Sequence, residues 1–230
     1  GRLTMRLQRN AQHALYEDAK CMPESNVEVL KLVSEPLRVE LHLEMFRHSF
    51  DAHVFFQRYV QERPEVMGKV CHVAVAQQLF THGDIIFNLG ELPEEPKMYL
   101  VRAGSLRYRE ASGDVSNVRD VHCIAEPVLW TEWRHCGCLQ AHGVCKLINI
   151  DARKFQSIIG RNTDRELYTY AVDFVCRLND LPEHALSDIA YMDGALSKYE
   201  RPSVFSRTLR ELAQAVPSAR SSLSRSRHSS

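Results

Sequence analysis

The sequence predicts an α+β fold: a helical linker, then an antiparallel β-roll of jelly-roll type, then flanking C-terminal helices. Three observations carry this. Residues 81–106, THGDIIFNLGELPEEPKMYLVRAGSL, set Gly83, Gly90 and Gly104 at the ends of short apolar runs. Glycines there suit tight turns with positive φ or close backbone approach. The runs themselves, Ile85-Ile86-Phe87, Met98-Tyr99-Leu100-Val101 and Leu106-Arg107-Tyr108, have strand length and composition. Short strands with a turn about every eight to twelve residues build rolls and barrels. After Asp151 the apolar period turns helical, through Phe155, Ile158 and Ile159, then Leu167, Tyr170, Phe174 and Leu178. At 230 residues and 44% apolar content, the chain can bury one good core plus an appendage.

The elements follow in order, dividing the chain into a helical linker (1–60), the roll with its helices (61–180), a helical extension (181–216) and a Ser/Arg tail (217–230). Ser25-x-x-Glu28, just after Pro23, is a capping box that opens a short amphipathic helix ending near Ser34. Ser34, as N-cap, and Pro36 in the first turn begin the next helix, which carries Leu37, Leu41 and Met45 or Phe46 and ends near Phe50. The Phe55-Phe56 pair and a helix over Pro64–Gln78 lead into the strands of 79–150. Gly113, Asp114 and Asn117 mark a polar turn between strands near 104–110 and 118–124. Asn179-Asp180-Leu181-Pro182 stops the long C-terminal helix. One or two weaker helices fill 183–215, and PSARSSLSRSRHSS from Pro217 is predicted to be disordered.

Composition excludes several classes of function. Basic and acidic residues balance at 29 each, which argues against a nucleic-acid partner. The seven cysteines are odd in number and irregularly spaced, which argues against a disulfide framework and for a reducing, cytosolic setting. No apolar run is long enough to span a membrane, and no signal-peptide pattern is present. Ser105 and Ser112 stand in no catalytic motif, and G-x-S-x-G and P-loop patterns are missing, so no enzymatic activity is expected. A first residue of Gly rather than Met suggests a piece of a longer protein.

The run Gly83-Asp84-x-Ile86, Gly90-Glu91, Met98-Tyr99-x-Val101, Gly104 resembles the opening half of a cyclic-nucleotide-binding domain. Residues 124–159, IAEPVLWTEWRHCGCLQAHGVCKLINIDARKFQSII, resemble its second half, the phosphate-binding cassette F-G-E-(I/L)-A-L, six residues, R-(A/T)-A-(T/S)-V-x-A. The resemblance implies a ligand set of Ala125, Glu126, Val128 and Leu129 on a short helix, with His135, Cys136 and Cys138 at the strand exit. In such a cassette the helix N-terminus aims its amides at the cyclic phosphate. Glu126 would accept from the ribose 2′-hydroxyl. The phosphate-pairing Arg is His135 here, and an imidazole, mostly uncharged at neutral pH, cannot make a two-pronged contact. Losing a charged hydrogen bond costs about 1.5–3 kcal/mol, or roughly ten- to a hundred-and-fifty-fold in affinity. Cys138 replaces a Thr or Ser donor, Ala125 replaces a Gly, and Arg134 points to the opposite face of an extended segment. Weak binding of cAMP or cGMP, or none, is therefore expected. Trp130 and Trp133 either fill the cavity or pack the roll against a helix. His135, Cys136, Cys138, His142 and Cys145 have zinc-ligand chemistry, but their spacing matches no compact zinc template, and no metal is expected.

The preceding segment VEVLKLVSEPLRVELHLEMFRHSFDAHVFF, with Leu30, Val33, Pro36, Leu37-Arg38, Glu40-Leu41 and Phe55-Phe56, resembles the linker of voltage-gated and cyclic-nucleotide-regulated cation channels, as in protists. Residues 3–20 match the linker helix before it. This resemblance implies a regulatory and assembly domain of a tetrameric cation channel, potassium being the expected ion, at the cytoplasmic face of a membrane. The pore domain would lie upstream on the same polypeptide, and the linker would form the homotetramer. In such channels the last helix of the roll, here about 164–179, swings onto bound nucleotide. The alternative is a soluble cyclic-nucleotide sensor of the kinase regulatory-subunit type. That type needs an R-R-x-(S/A) inhibitor segment, and Arg201-Pro202-Ser203 is not one. A metal-dependent sugar-binding or enzymatic roll would need a His-x-His…Glu…His set, which is missing.

Overall fold

The computed structural model describes residues 32–51, 53–119, 123–161 and 164–189. The predicted helices at 3–20 and before Leu32, the extension beyond Ile189 and the Ser/Arg tail lie outside the described residues. Helix α1, Glu35–Arg47, opens after Ser34, which takes the extended backbone of an N-cap without making a side-chain cap bond. Pro36 sits in its first turn, and a 3-10 turn, His48–Phe50, continues it. Its inward face is the predicted one only at Phe46. His42, Leu43 and Phe46 are buried, whereas Leu37 and Met45 are exposed. The reason is the packing against α3, Pro64–Val73: Gly68 of α3 leaves room for Val39, and the Nδ1 atoms of His42 and His72 meet at 3.0 Å. Between them α2, Val54–Glu62, carries Phe55, Phe56, Tyr59 and Val60 into the core, capped by the imidazole of His53. Helix α3 ends at Val73 rather than Gln78. The residues after Ala74 are taken into a strand by backbone pairing with a later one, Val75 opposite Ile150 through Phe80 opposite Cys145.

Eight strands make the roll: β1 Val75–Phe80, β2 Ile85–Phe87, β3 Lys97–Ala103, β4 Leu106–Glu110, β5 Val115–Val118, β6 Cys123–Ile124, β7 Gly137–Ala141 and β8 Cys145–Asp151. They form two four-stranded antiparallel sheets, ordered β1-β8-β3-β6 and β2-β7-β4-β5. Met98, Leu106, Tyr108, Leu139, Leu147 and Ile148 are fully buried. Gly104, at φ 102°, turns the chain from β3 to β4, where an added Cβ would lie 2.4 Å from the carbonyl oxygen of Val144. The turn after β4 is confined to 111–114; Asn117, predicted to belong to it, is a β5 residue opposite Arg107. The predicted strand at 118–124 is not continuous: β5 ends at Val118 and the two-residue β6 begins at Cys123.

Helix α4, Ala152–Ile159, is capped by Asp151 and buries Ala152, Phe155 and Ile159. Helix α5, Arg165–Asp180, is capped by Asp164 and turns Leu167, Phe174 and Leu178 inward. After Asp180 the chain passes a 3-10 turn, Glu183–Ala185, and runs back over the roll to Ile189. Among the described residues no helix is long and apolar enough to cross a membrane.

Asp164 locks α5 to the helical layer. One oxygen accepts from the Glu166 amide at 2.9 Å and the other from Arg63 Nε at 2.8 Å. Burial works to raise its pKa, but the hydrogen bond and charge of Arg63 outweigh this and hold the carboxyl below its ordinary range. A depressed folded-state value contributes stability above the unfolded value of about 3.9, and that contribution is lost as pH falls through the folded value. Asp164→Asn keeps the cap and loses the charge, so its stability is expected to fall less steeply than the native chain's below about pH 4. Urea denaturation between pH 3 and 6 reads this, and parallel curves would exclude the role.

Candidate functional site

The cassette begins at Ala125, whose φ of 60° and ψ of 36° make it the single non-glycine with positive φ among the described residues. A left-handed conformation costs an alanine roughly 1–2 kcal/mol. It is held by the Ala125 amide, which donates to the carbonyl oxygen of Asp188 at 2.7 Å. A 3-10 turn, Glu126–Leu129, follows, as predicted, with Pro127 in its first turn. The chain then passes Trp130 and Trp133 and enters β7 through His135, Cys136 and Gly137.

At that point the side chain of Asp188 fills the cradle. One carboxylate oxygen accepts from Trp133 Nε1 at 2.8 Å and lies 2.8 Å from His135 Nδ1, which must carry the proton. The other accepts from the Tyr108 hydroxyl at 2.8 Å and from the amides of Cys136 and Gly137 at 2.9 and 3.1 Å. The Asp188 amide donates back to the Tyr108 oxygen at 3.2 Å. The carboxylate is fully enclosed, at 0% exposure. Gly137 makes room for this: a Cβ there would stand 2.4 Å from the Tyr108 ring. The His135 ring is fixed from behind by Phe87, stacked at 3.7 Å and 5°. Burial, reinforced by the charge of Asp188, raises the Tyr108 phenol above its ordinary range and pushes the Cys136 thiol up to about 12. Both therefore stay protonated, the phenol as a donor and the thiol as an unreactive group.

Glu126 makes a second, separate cluster. Its carboxylate accepts from the Tyr170 hydroxyl of α5 at 2.7 Å and from Trp130 Nε1 at 3.2 Å. The second oxygen lies 3.1 Å from His53 Nε2. That nitrogen makes no hydrogen bond of good geometry to it. His53 uses Nδ1 to cap α2, accepting from the Phe56 amide at 3.4 Å. Burial, with the Glu126 charge added, raises the Tyr170 phenol well above its ordinary range. The Trp130 ring packs among Phe55, Phe155, Tyr170 and Phe174.

Of the residues expected to face a ligand, His135 and Cys136 converge on the carboxylate of the chain's own Asp188, while the Ala125 amide donates to the backbone carbonyl of the same residue. Glu126 turns inward to Tyr170, while Val128 and Leu129 are core residues. Cys138 lies half-buried on β7 opposite Arg109, and the Cys136 and Gly137 amides stand in for the donor expected of it. The two tryptophans divide the predicted roles, Trp133 in the cradle and Trp130 against the helices. Among the described residues no group of three or more His, Cys, Asp or Glu could hold a metal ion. Asp188, Tyr108, His53 and Tyr170 were not singled out as site residues by sequence.

No protein-family model and no curated protein matches this sequence. One solved structure that matches is a co-crystal structure of the regulatory domain of Toxoplasma gondii PKA with cAMP. Its TM-score is 0.44 at 20% identity, over 60% of this chain and 49% of that one, so the match spans about half of that structure's length. The chemistry of the site rests on its own geometry.

Tyr170→Phe is expected to cost about 1.5–3 kcal/mol by chemical denaturation, because it strips a donor from a buried carboxylate. In a Glu126→Gln background the same change should cost clearly less; equal costs in both backgrounds would show that the pair is uncoupled.

Proposed function

We propose that this chain carries a regulatory domain of the cyclic-nucleotide-binding type whose phosphate cradle is occupied by its own Asp188. In this reading the domain serves gating and assembly in a tetrameric voltage-gated-type cation channel, potassium being the expected ion, with the pore on the same polypeptide and the domain at the cytoplasmic face. The observation that carries it is the Asp188 carboxylate on five donors, at the position where the cassette resemblance implies a cyclic phosphate. A tethered competitor acts at an effective concentration of about millimolar. It raises the apparent Kd of a free nucleotide in inverse proportion to the fraction of time the cradle stands open. The cradle also lacks the guanidinium that would pair a cyclic phosphate through two charge-assisted hydrogen bonds. On α1, Leu37, Leu41 and Met45 lie on one face, two of them exposed and Leu41 partly so, which suits assembly through the linker. The alternative, a soluble sensor of the kinase regulatory-subunit type, needs a cradle open to nucleotide.

Calorimetric titration of the full chain with cAMP and cGMP tests the cradle. Native binding weaker than about 100 μM is expected, with Asp188→Ala combined with His135→Arg binding at least about tenfold tighter. Low-micromolar binding by the native chain would falsify self-occupancy, as would an unchanged affinity in a double variant that stays folded by circular dichroism. Sedimentation tests assembly: the chain should form tetramers that Leu37→Glu with Met45→Glu dissociates, and a monomeric native chain at about 100 μM would remove that part of the reading.

A further inference from the structure

The two sheets part along β1 and β2. Each is the outermost strand of its sheet, so each leaves one row of backbone N–H and C=O groups without a strand partner among the described residues. Between them opens a groove of about 310 Å³, floored by Phe80, Ile86, Phe87 and Tyr99 and edged by Glu91 and Glu94. Lys97 also lines it, but its ammonium lies 2.8 Å from Glu95, which cancels that cation and leaves the groove negative. Ile85, Leu89 and Leu92, within eight residues of one another in sequence, are all exposed beside it. Large apolar side chains held in water next to an open strand edge and a fixed negative charge make a surface with a preference for one kind of partner.

We propose that this groove docks an extended peptide segment in which apolar residues alternate with Arg or Lys. A strand's side chains alternate between its two faces, so one set of such a segment can lie against the exposed Ile85, Leu89 and Leu92 while the other reaches Glu91 and Glu94. Its backbone adds to the free side of β2, and the alternation supplies specificity, as in other strand-addition complexes. The charge pattern excludes an acidic peptide, for which Glu91 and Glu94 would be repulsive. Phe87 and His135, which also serve the Asp188 cradle, line the inner end of the groove, but the inference uses neither Asp188 nor the linker helices.

The test is fluorescence anisotropy on the full chain with two labelled hexapeptides, Arg-Leu-Arg-Leu-Arg-Leu and Glu-Leu-Glu-Leu-Glu-Leu. The cationic peptide should bind in about the tens of micromolar and the anionic one not measurably. Glu94→Lys should weaken binding roughly fivefold and Ile85→Ser by a similar factor, both being surface changes that leave the fold intact. Tyr168→Ser, at an exposed position on α5, should leave it unchanged. Equal binding of both peptides, or equal effects from Tyr168→Ser and Glu94→Lys, would mean unspecific adhesion and overturn the proposal. Loss of self-association in Ile85→Ser would assign the face to a second copy of the chain, and also overturn it.

Discussion

Taking a carboxylate out of water costs several kcal/mol unless the protein replaces its hydration shell, and Asp188 is enclosed completely. Its replacement shell comes from β4, from the Trp133–Gly137 stretch and from the backbone itself. The requirement runs both ways. Without Asp188, five inward-pointing donors would share one apolar enclosure with no acceptor, and each unmet donor costs about 1–3 kcal/mol. The segment after α5 and the cassette are thus each other's condition for folding. Gly137, the stacked Phe87–His135 pair and the left-handed Ala125 follow from that need.

The two buried carboxylates are solved with the same chemistry. Asp188 and Glu126 each meet one phenol, one indole and one imidazole, and Asp188 adds two amides. Neither has an arginine among these partners. Dispersed neutral donors hold an anion through direction and distance rather than through net charge, so they discriminate by shape. A cradle of that kind fits a planar carboxylate at the end of a short side chain. It offers a bulkier phosphodiester anion little compensation for the hydration it would surrender.

The strands and the cassette turn were legible because their signals are local. Gly83, Gly90 and Gly104 sit at turns, the apolar runs between them are strand-length, and Pro127 sits in the first turn of its short helix. Errors arose where a distant partner decides. The Pro64 helix stops at Val73 because β8 captures the following residues, and nothing within 64–78 announces a partner some seventy residues away. On α1 the pattern Leu37, Leu41 and Met45 or Phe46 holds only at Phe46, because the groove beside Gly68 and His72 selects Val39 and His42 in place of the leucines. The departures at His135 and Ala125 were visible, whereas their compensation was not. Asp188 lies fifty-three residues beyond His135 in a Leu-Ser-Asp-Ile stretch that fits no motif. A missing guanidinium reads in sequence as a vacancy, whereas in the structure the imidazole at that position holds an anion already covalently attached.

Glu126 joins three parts of the chain: the residue before α2, the cassette and the middle of α5. Were α5 to pivot away alone, Tyr170 would leave behind a buried charge short of its strongest donor, and the stack of Tyr170 on Phe55 at 4.2 Å would shear. The cheaper motion carries both helices and the cassette as one rigid lever. Mechanical force arriving from the N-terminal side would then be felt at the far end of α5 without any small molecule entering the protein.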